Sequence, residues 1–299
     1  MAARLRLRSL AKINLDLRVL HKRGDGFHEI RTVFQTISLA DTIEIEYRAG
    51  RARVDIVSNL NISGNIIERA ADMVLGAIGR TGQLRFVLKK RIPLGGGLGG
   101  GSSNAATVLL GLPRLLGKPL PLGKLWELAA ELGSDVPFFL LGGTALGIGR
   151  GHEIYPLPDV PQRPALVVAP GIHVSTPDAY RALGRGTAEE PSADSIQAFL
   201  PVAWAVGASG WTNDFEPVVF REHPQLKSIK GKLLKLGARP AMMSGSGSSV
   251  FGVFETVQGR DLAAASIGNE RNRVYPVTIV SRSQYRALWR RQLAALEGT

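Results

Sequence analysis

The stretch from Pro93 to Asn104 reads Pro-Leu-Gly-Gly-Gly-Leu-Gly-Gly-Gly-Ser-Ser-Asn. Six glycines in seven positions (Gly95, Gly96, Gly97, Gly99, Gly100 and Gly101) leave the backbone amides without Cβ shielding. Pro93 and Leu94 lead into the run, Leu98 divides it, and Ser102 and Ser103 place two hydroxyls at the start of an apolar segment. Such a loop wraps a polyphosphate with N–H groups, while the following helix N-terminus contributes the positive end of its dipole. A flexible linker is the alternative, but linkers are rarely bracketed by a strand and a run as apolar as Ala105–Leu110. Gly95, Gly97 and Gly100 satisfy G-x-G-x-x-G. A dinucleotide fold needs an acidic residue about 20 positions further on, and no Asp or Glu occurs between Gly101 and Trp126. A Walker loop needs a lysine before its hydroxyl, and none stands next to Ser102. What remains is a polyphosphate-wrapping loop of another kind.

Two charged residues occupy apolar settings. Lys12 lies between apolar neighbours on a predicted strand, and Asp135 follows a predicted helix and precedes Val-Pro. A carboxylate so placed accepts the proton of an attacking hydroxyl or only orients it, and an ammonium neutralises charge on a transferring phosphoryl group. An isolated buried salt bridge is the competing reading. Asn14, two residues from Lys12, shares its strand face. His28 sits in a glycine-flanked turn, where it is either a recognition residue or an exposed loop histidine. Tyr180 is either a stacking residue or ordinary helix packing.

The elements that must position these groups alternate along the chain. Leu5–Leu10, Ile13–Val19, Thr42–Tyr47, Arg53–Ser58 and Leu84–Leu88 read as strands, with a turn at residues 21–26. Ile66–Ile78 has helical spacing behind Asn65 as cap. Asn104–Leu110 reads as a buried helix stopped or kinked near Pro113, and Lys124–Leu132 as a helix closed by Gly133. Tyr155–Pro161 is proline-rich and reads as a linker, which puts a domain boundary near residue 159, between 1–158 and 159–299. Beyond it, Ala165–Ala169, Val250–Phe254 and Val274–Val280 read as strands and Pro224–Leu236 and Arg260–Ile267 as helices. A further helix starts at Thr176-Pro177 with a capping hydroxyl, and Gly184–Ser192 reads as a mobile loop. This mixed order predicts an α+β fold in two domains.

At 299 residues and 44% hydrophobic the chain can bury a core without disulfides. It has no cysteine, which excludes thiolate zinc sites and cysteine nucleophiles and suits a reducing compartment. The net charge of +12 favours anionic partners. The cations are spread from Arg4 to Arg291 with no dense run and no aromatic-basic RNA signature, so a merely solvated basic surface fits equally well. No stretch approaches the roughly 18 to 20 apolar residues of a membrane helix. Arg4-Leu5-Arg6-Leu7-Arg8 alternates as a half-buried strand does, and no apolar region follows it as in a secretory signal. The expectation is a soluble, cytoplasmic protein with small-molecule partners and neither nucleic acid nor membrane.

With three motifs in order, the chain resembles the GHMP kinases. These are Ser9–Leu15, the loop at 93–104, and Met243-Ser244-Gly245-Ser246-Gly247-Ser248-Ser249-Val250-Phe251. Ala11–Leu15, Gly24-Asp25-Gly26-Phe27-His28, Pro93–Ala106, Gly133–Phe139, Ser175–Tyr180 and Asn213–Glu216 are most similar to the family that phosphorylates 4-diphosphocytidyl-2-C-methyl-D-erythritol. The likeness is weak at 184–192 and after Arg282. The resemblance implies a two-domain fold with the active site in the cleft between domains, and ATP with Mg2+ donating to the substrate 2-hydroxyl in the non-mevalonate isoprenoid route. It implies Lys12 and Asp135 as the catalytic pair and Pro93–Ser103 around the phosphates. Asn65 would lie near the adenine unless it is only a cap. Asn14, Phe27, His28, Thr176 and Tyr180 would line the substrate site, with His28 bonding the cytosine and Phe27 and Tyr180 near its faces. Phe27 stands where some members have Tyr, which keeps a stacking surface and removes a phenolic hydrogen bond. Ser246 and Gly247 would support the loop from the second domain.

Overall fold

A computed structural model describes residues 3–62, 64–184 and 210–294. Two long antiparallel strands, β1 (Ala3–Lys22) and β2 (His28–Arg48), run side by side along their length. β3 (Arg53–Ser58), α1 (Ile66–Ile78) and β4 (Gln83–Lys89) follow, then α2 (Gly100–Leu115), α3 (Leu122–Leu132), the short α4 (Phe138–Leu141), β5 (Thr144–Ile148) and β6 (Glu153–Pro156). These strands form one sheet in the order β3-β4-β2-β5-β6, with β1 on β2; only β3 and β4 pair in parallel. β7 (Pro164–Ala169), α5 (Thr176–Leu183), α6 (Glu216–Glu222), α7 (Pro224–Lys235), β8 (Ala241–Met243), β9 (Val250–Val253), α8 (Val257–Ile267), β10 (Arg273–Thr278) and α9 (Arg282–Ala294) complete the described chain. They include a second, antiparallel sheet in the order β10-β7-β9-β8.

Three apolar clusters show how the layers stack. One joins the first sheet to α1, α2 and α3, with Leu7, Ile43, Phe86, Ala70 and Leu109 fully buried. Another lies between the second sheet and its helices around Leu166, Leu226 and Leu233. The third fills the space between the two sheets, where Ala11, Ile13, Leu15 and Ile37 meet Val167, Met242, Phe251 and Ile279. The middle of β1 and β2 is therefore covered on both faces, so it has lost the alternation that betrays a half-buried strand. That is why residues 28–41, and the 11–12 join that makes β1 one strand, escape the sequence reading. β1 also carries register shifts at Leu10/Lys12, Asn14/Asp16 and Val19/His21.

Several expectations need correction. The glycine segment gives up its second half to α2, which starts at Gly100 rather than Asn104 and passes through Pro113 to Leu115. The linker reading at Tyr155–Pro161 overlaps β6, and Leu157 and Val160 pack into the core between the sheets. Ser175, not Thr176, is the cap position of α5, and it makes no side-chain cap bond. α4, β5, α6, β8 and α9 were not read from the sequence. Gly184 caps α5 in the left-handed conformation, while 185–192 of the supposed mobile loop lie outside the described residues. α9 turns back to the first half: Tyr285 and Trp289 join the first cluster, and the Tyr285 hydroxyl donates to Phe139 O at 2.6 Å.

Candidate active site

The glycine loop is approached along a braced segment. Asp41, fully buried in β2, accepts hydrogen bonds from Arg91 N at 2.7 Å and Ile92 N at 2.8 Å, and its other oxygen pairs with the buried Lys90 ammonium at 2.5 Å. From Pro93 the chain turns through Gly95, Gly97 and Gly99, all at φ between 64° and 73°, a region that favours glycine. The amides of Gly100, Gly101 and Ser102 then open the first turn of α2, and Ser103 N closes it on Gly99 O at 2.8 Å. A cavity of about 390 Å³ lies against this turn, lined by Pro93–Ser102 together with Ile62, Asn65, Ile66, Lys90 and Asn104. Asn104 keeps its buried Oδ1 without a hydrogen-bond partner. Gly101 lies beside the space: a Cβ there would meet nothing nearer than Ile66 Cγ2 at 3.8 Å. An uncluttered helix N-terminus beside such a cavity fits a polyphosphate.

Not every loop residue owes its type to that cavity. Gly97 is glycine because a Cβ would collide with the Ser244 carbonyl, and Gly100 because one would stand 2.6 Å from Lys90 Nζ. Ser103 lies outside the cavity lining. It accepts from Ser9 Oγ at 2.7 Å and donates to Leu10 O at 2.6 Å, pinning α2 to β1. Asn65 accepts from Ile67 N at 3.1 Å as the α1 cap and also lines the cavity.

Lys12 and Asp135 come together. The Lys12 side chain is 4% exposed, with Nζ 3.2 Å from Asp135 Oδ2, 2.8 Å from Asn14 Oδ1 and 5.3 Å from the centre of the Phe34 ring. Its backbone N–H donates to Leu98 O at 3.0 Å, and its Cγ lies 3.0 Å from where a Gly99 Cβ would be. The ammonium is thus placed from β1 beside the turn into α2. Asp135 reaches it from the tight turn between α3 and α4 and keeps 31% of its side chain open. Asn14 is held in turn by Thr32, to whose Oγ1 it donates at 2.7 Å.

His28 and Tyr180 form the third part. Their rings stack with centroids 4.5 Å apart and planes 22° apart, and Phe215 abuts Tyr180 edge-on at 4.8 Å. Burial, and then the nearby Asp135 charge, push the Tyr180 phenol up to about 12. Burial, Lys22 and His21 hold the His28 imidazole below its usual value of 6.5. Phe27 stands apart from this pair. It is half exposed, and the Arg150 guanidinium covers its ring at 4.7 Å. Thr176 Oγ1 shares a 2.8 Å hydrogen bond with Ser246 Oγ, joining α5 to the third glycine turn.

That third turn rests on the first loop. Ser244 Oγ donates to Gly97 O at 2.9 Å, and Ser249 N to Gly96 O at 3.2 Å. Asn213 holds it from below, donating through Nδ2 to Met243 O and Gly245 O, both at 2.8 Å, while Glu216 accepts from Met243 N at 2.9 Å. Sequence reasoning gave no role to Asp41, Lys90, Asn213 or Glu216. The Lys-Lys pair before the loop and the Asn-x-x-Glu spacing are the only local signals of them. Among the described residues no group of three His, Asp or Glu side chains could hold a metal ion, and no helix is long and apolar enough to cross a membrane.

Two family models match the chain, the GHMP kinases N terminal domain over residues 65–143 and the GHMP kinases C terminal model over 194–272. A 4-diphosphocytidyl-2-C-methyl-D-erythritol kinase of Solibacter usitatus is 53% identical over 96% of this chain and 92% of its own. One from Thermus thermophilus is 41% identical over 82% and 86%. A crystal structure of 4-(cytidine 5'-diphospho)-2C-methyl-D-erythritol kinase superposes with a TM-score of 0.76 at 38% identity, covering 92% of this chain and 99% of that one. Homoserine kinase from Cytophaga hutchinsonii, at 20% identity and a TM-score of 0.70, shares the fold. Taken with the loop, the buried lysine and its carboxylate partner, these likenesses show that the chain belongs to the GHMP kinases and, within them, to the 4-diphosphocytidyl-2-C-methyl-D-erythritol kinase family.

Proposed function

We propose that this protein transfers the γ-phosphoryl group of ATP to the 2-hydroxyl of 4-diphosphocytidyl-2-C-methyl-D-erythritol, with Lys12 and Asp135 at the point of transfer. The observation that carries the reading is the 3.2 Å Lys12–Asp135 pair beside the turn where the glycine loop enters α2. Asp135, the more open partner, orients the hydroxyl and takes its proton as the oxygen–phosphorus bond forms. The bond between the γ-phosphorus and the bridging oxygen breaks, and ADP leaves. The Lys12 charge and the first-turn amides of α2 face the negative charge on the transferring group. Asn14 holds the ammonium in place from the same strand. His28 and Tyr180 supply a half-buried aromatic and hydrogen-bonding wall for the cytosine.

Mg2+ would come with the nucleotide phosphates. It commonly keeps several waters and one or two carboxylates, so the lack of a ready-made acidic cluster among the described residues fits delivery with ATP, and Asp135 is the carboxylate of this site nearest to hand. When bound, it would neutralise phosphate charge. The soluble, cytoplasmic setting belongs to the same proposal.

A coupled ADP-release assay over the cytidyl substrate, 2-C-methylerythritol phosphate, homoserine and mevalonate tests it. Turnover is expected with the first alone; comparable turnover of homoserine or mevalonate would overturn the substrate assignment.

A further inference from the structure

Behind the glycine loop lies a larger cavity that the proposed chemistry does not use. Its volume is about 1120 Å³, at or above the range of about 300 to 1,000 Å³ usual for small-molecule sites. One wall is the outer side of the segment entering the loop, from Lys90 to Gly96. The other belongs to the second sheet and its helices: the end of β7, α7, the α8–β10 turn and Ser248–Ser249. The cavity is bordered by Arg91, Lys232, Arg271 and Arg273, all exposed, and none has a carboxylate within ion-pair distance among the described residues. Lys90, paired with Asp41, and His173 add two further basic groups, and Glu270 is the single acid among the lining residues. Four unpaired cations around one space repel each other, and a multiply charged anion between them relieves that repulsion.

A further observation points to a ligand rather than to a solvated face. Leu60 and Leu94, 42% and 52% exposed, line the same space and offer apolar contact to the body of a bound molecule.

We propose that this inter-sheet cavity is a second binding site, taking a small molecule that carries phosphate or diphosphate groups, either a second nucleotide or a phosphorylated metabolite. It adjoins the glycine-loop cavity, and the two share Lys90, Pro93, Leu94 and Gly96 as a common wall. The basic excess that the kinase chemistry leaves unexplained has a place there.

Calorimetric titration of the intact protein tests this. The glycine-loop site is first saturated with a non-hydrolysable ATP analogue, and inorganic pyrophosphate is then added. Support takes one of two forms. Either pyrophosphate binds the saturated protein at one equivalent, identifying a metabolite-type site, or the analogue itself fills two sites per chain, identifying a nucleotide. In both cases Arg271→Glu with Arg273→Glu weakens the second event at least tenfold and leaves the first event and basal turnover unchanged. Lys232→Glu, on α7 of the same wall, does the same independently, and the second event weakens with added salt. A single binding event in total would overturn the proposal, as would a second event indifferent to both sets of charge reversals. So would charge reversals that weaken both events alike, since the basic wall would then belong to the first nucleotide. Failure of the kinase reading would show instead as loss of turnover in the unmodified protein.

Discussion

A lysine with 4% of its side chain exposed needs its charge answered, and Lys12 is answered by one carboxylate, one amide oxygen and the face of Phe34. Because Asp135 is the only charged partner among the described residues, the two should act as a unit. Asp135→Asn keeps the shape and cannot take a proton, so kcat is expected to fall at least about a hundredfold with nucleotide affinity retained. Lys12→Met should also be severe, and the double variant should lose less than the product of the two single losses. Steady-state kinetics with parallel nucleotide titration decides it; fully multiplicative losses would mean that the residues work separately. His28 gives a pH signature. Its pKa is lowered, chiefly by burial, so the folded protein holds the ring's proton less readily than the unfolded chain does. The unfolded chain takes up the proton first, so stability drains away as pH falls through the unfolded value towards the folded one. Cytidine nucleotide affinity should decline as pH falls through the imidazole range, and His28→Ala should remove that decline. A decline of the same size in His28→Ala would assign the titration to another group. Tyr180→Phe should be nearly silent, since the hydroxyl has no hydrogen-bond partner among the described residues and the ring carries the stacking with His28.

Among the elements, the glycine loop divides into parts with different reasons for being glycine. At Gly97 the backbone has φ 73° and a Cβ would run into the Ser244 carbonyl, so Gly97→Ala is expected to separate the loop from the third turn and lower Tm. Gly101 is helical with open space beside it. Gly101→Ala should raise Tm, as alanine in a helix is favoured by about 0.5 to 1 kcal/mol, while weakening the nucleotide that shares that space. Thermal melts and titrations of the two variants separate packing from phosphate binding; equal effects of both on Tm would reject the distinction. The sequence shows the loop and not this division, because the partner of Gly97 lies 147 residues away. The same contrast holds across the fold. β3, α1 and β4 are legible almost to the residue, since each has one open face or a local cap such as Asn65, and β7, buried on both faces, is legible as a short unbroken apolar run. The first half of β2 is not, because both of its faces are buried, and α9 is not, because its few apolar anchors, Tyr285 and Trp289, sit in a basic helix. Lys12, Asn14 and Asp135 could be picked out as unusual residues, but Asp41 and Lys90 look like ordinary surface charges until the strands are paired.

At the scale of the molecule, the two sheets meet face to face and the glycine loop is caught at their edge. A division near residue 159 remains our proposal, with α9 returning to the first half. Asn213 is the point where the halves are tied. Next to it, Leu17 N donates to Thr212 O at 2.8 Å, Asp214 N to Leu17 O at 3.0 Å, and Asp16 in β1 accepts from Thr212 N at 2.8 Å. From its own side chain, Asn213 reaches the third glycine turn, which in turn holds Gly96 and Gly97. The strand bearing Lys12 is therefore linked through the second half to the loop it must face. Asn213→Ala would leave the Met243 and Gly245 carbonyls buried without their donor, at about 1 to 3 kcal/mol each. Tm should fall by several degrees. Because the third turn would no longer be fixed against the loop, the KM for ATP should rise by more than the KM for the cytidyl substrate. Asn213→Asp should be worse, since it sets a carboxylate against two carbonyl oxygens. Calorimetric melts with and without an ATP analogue, alongside both KM values, provide the measurement. If Asn213 were only a local loop residue, Tm would fall and the two KM values would move together.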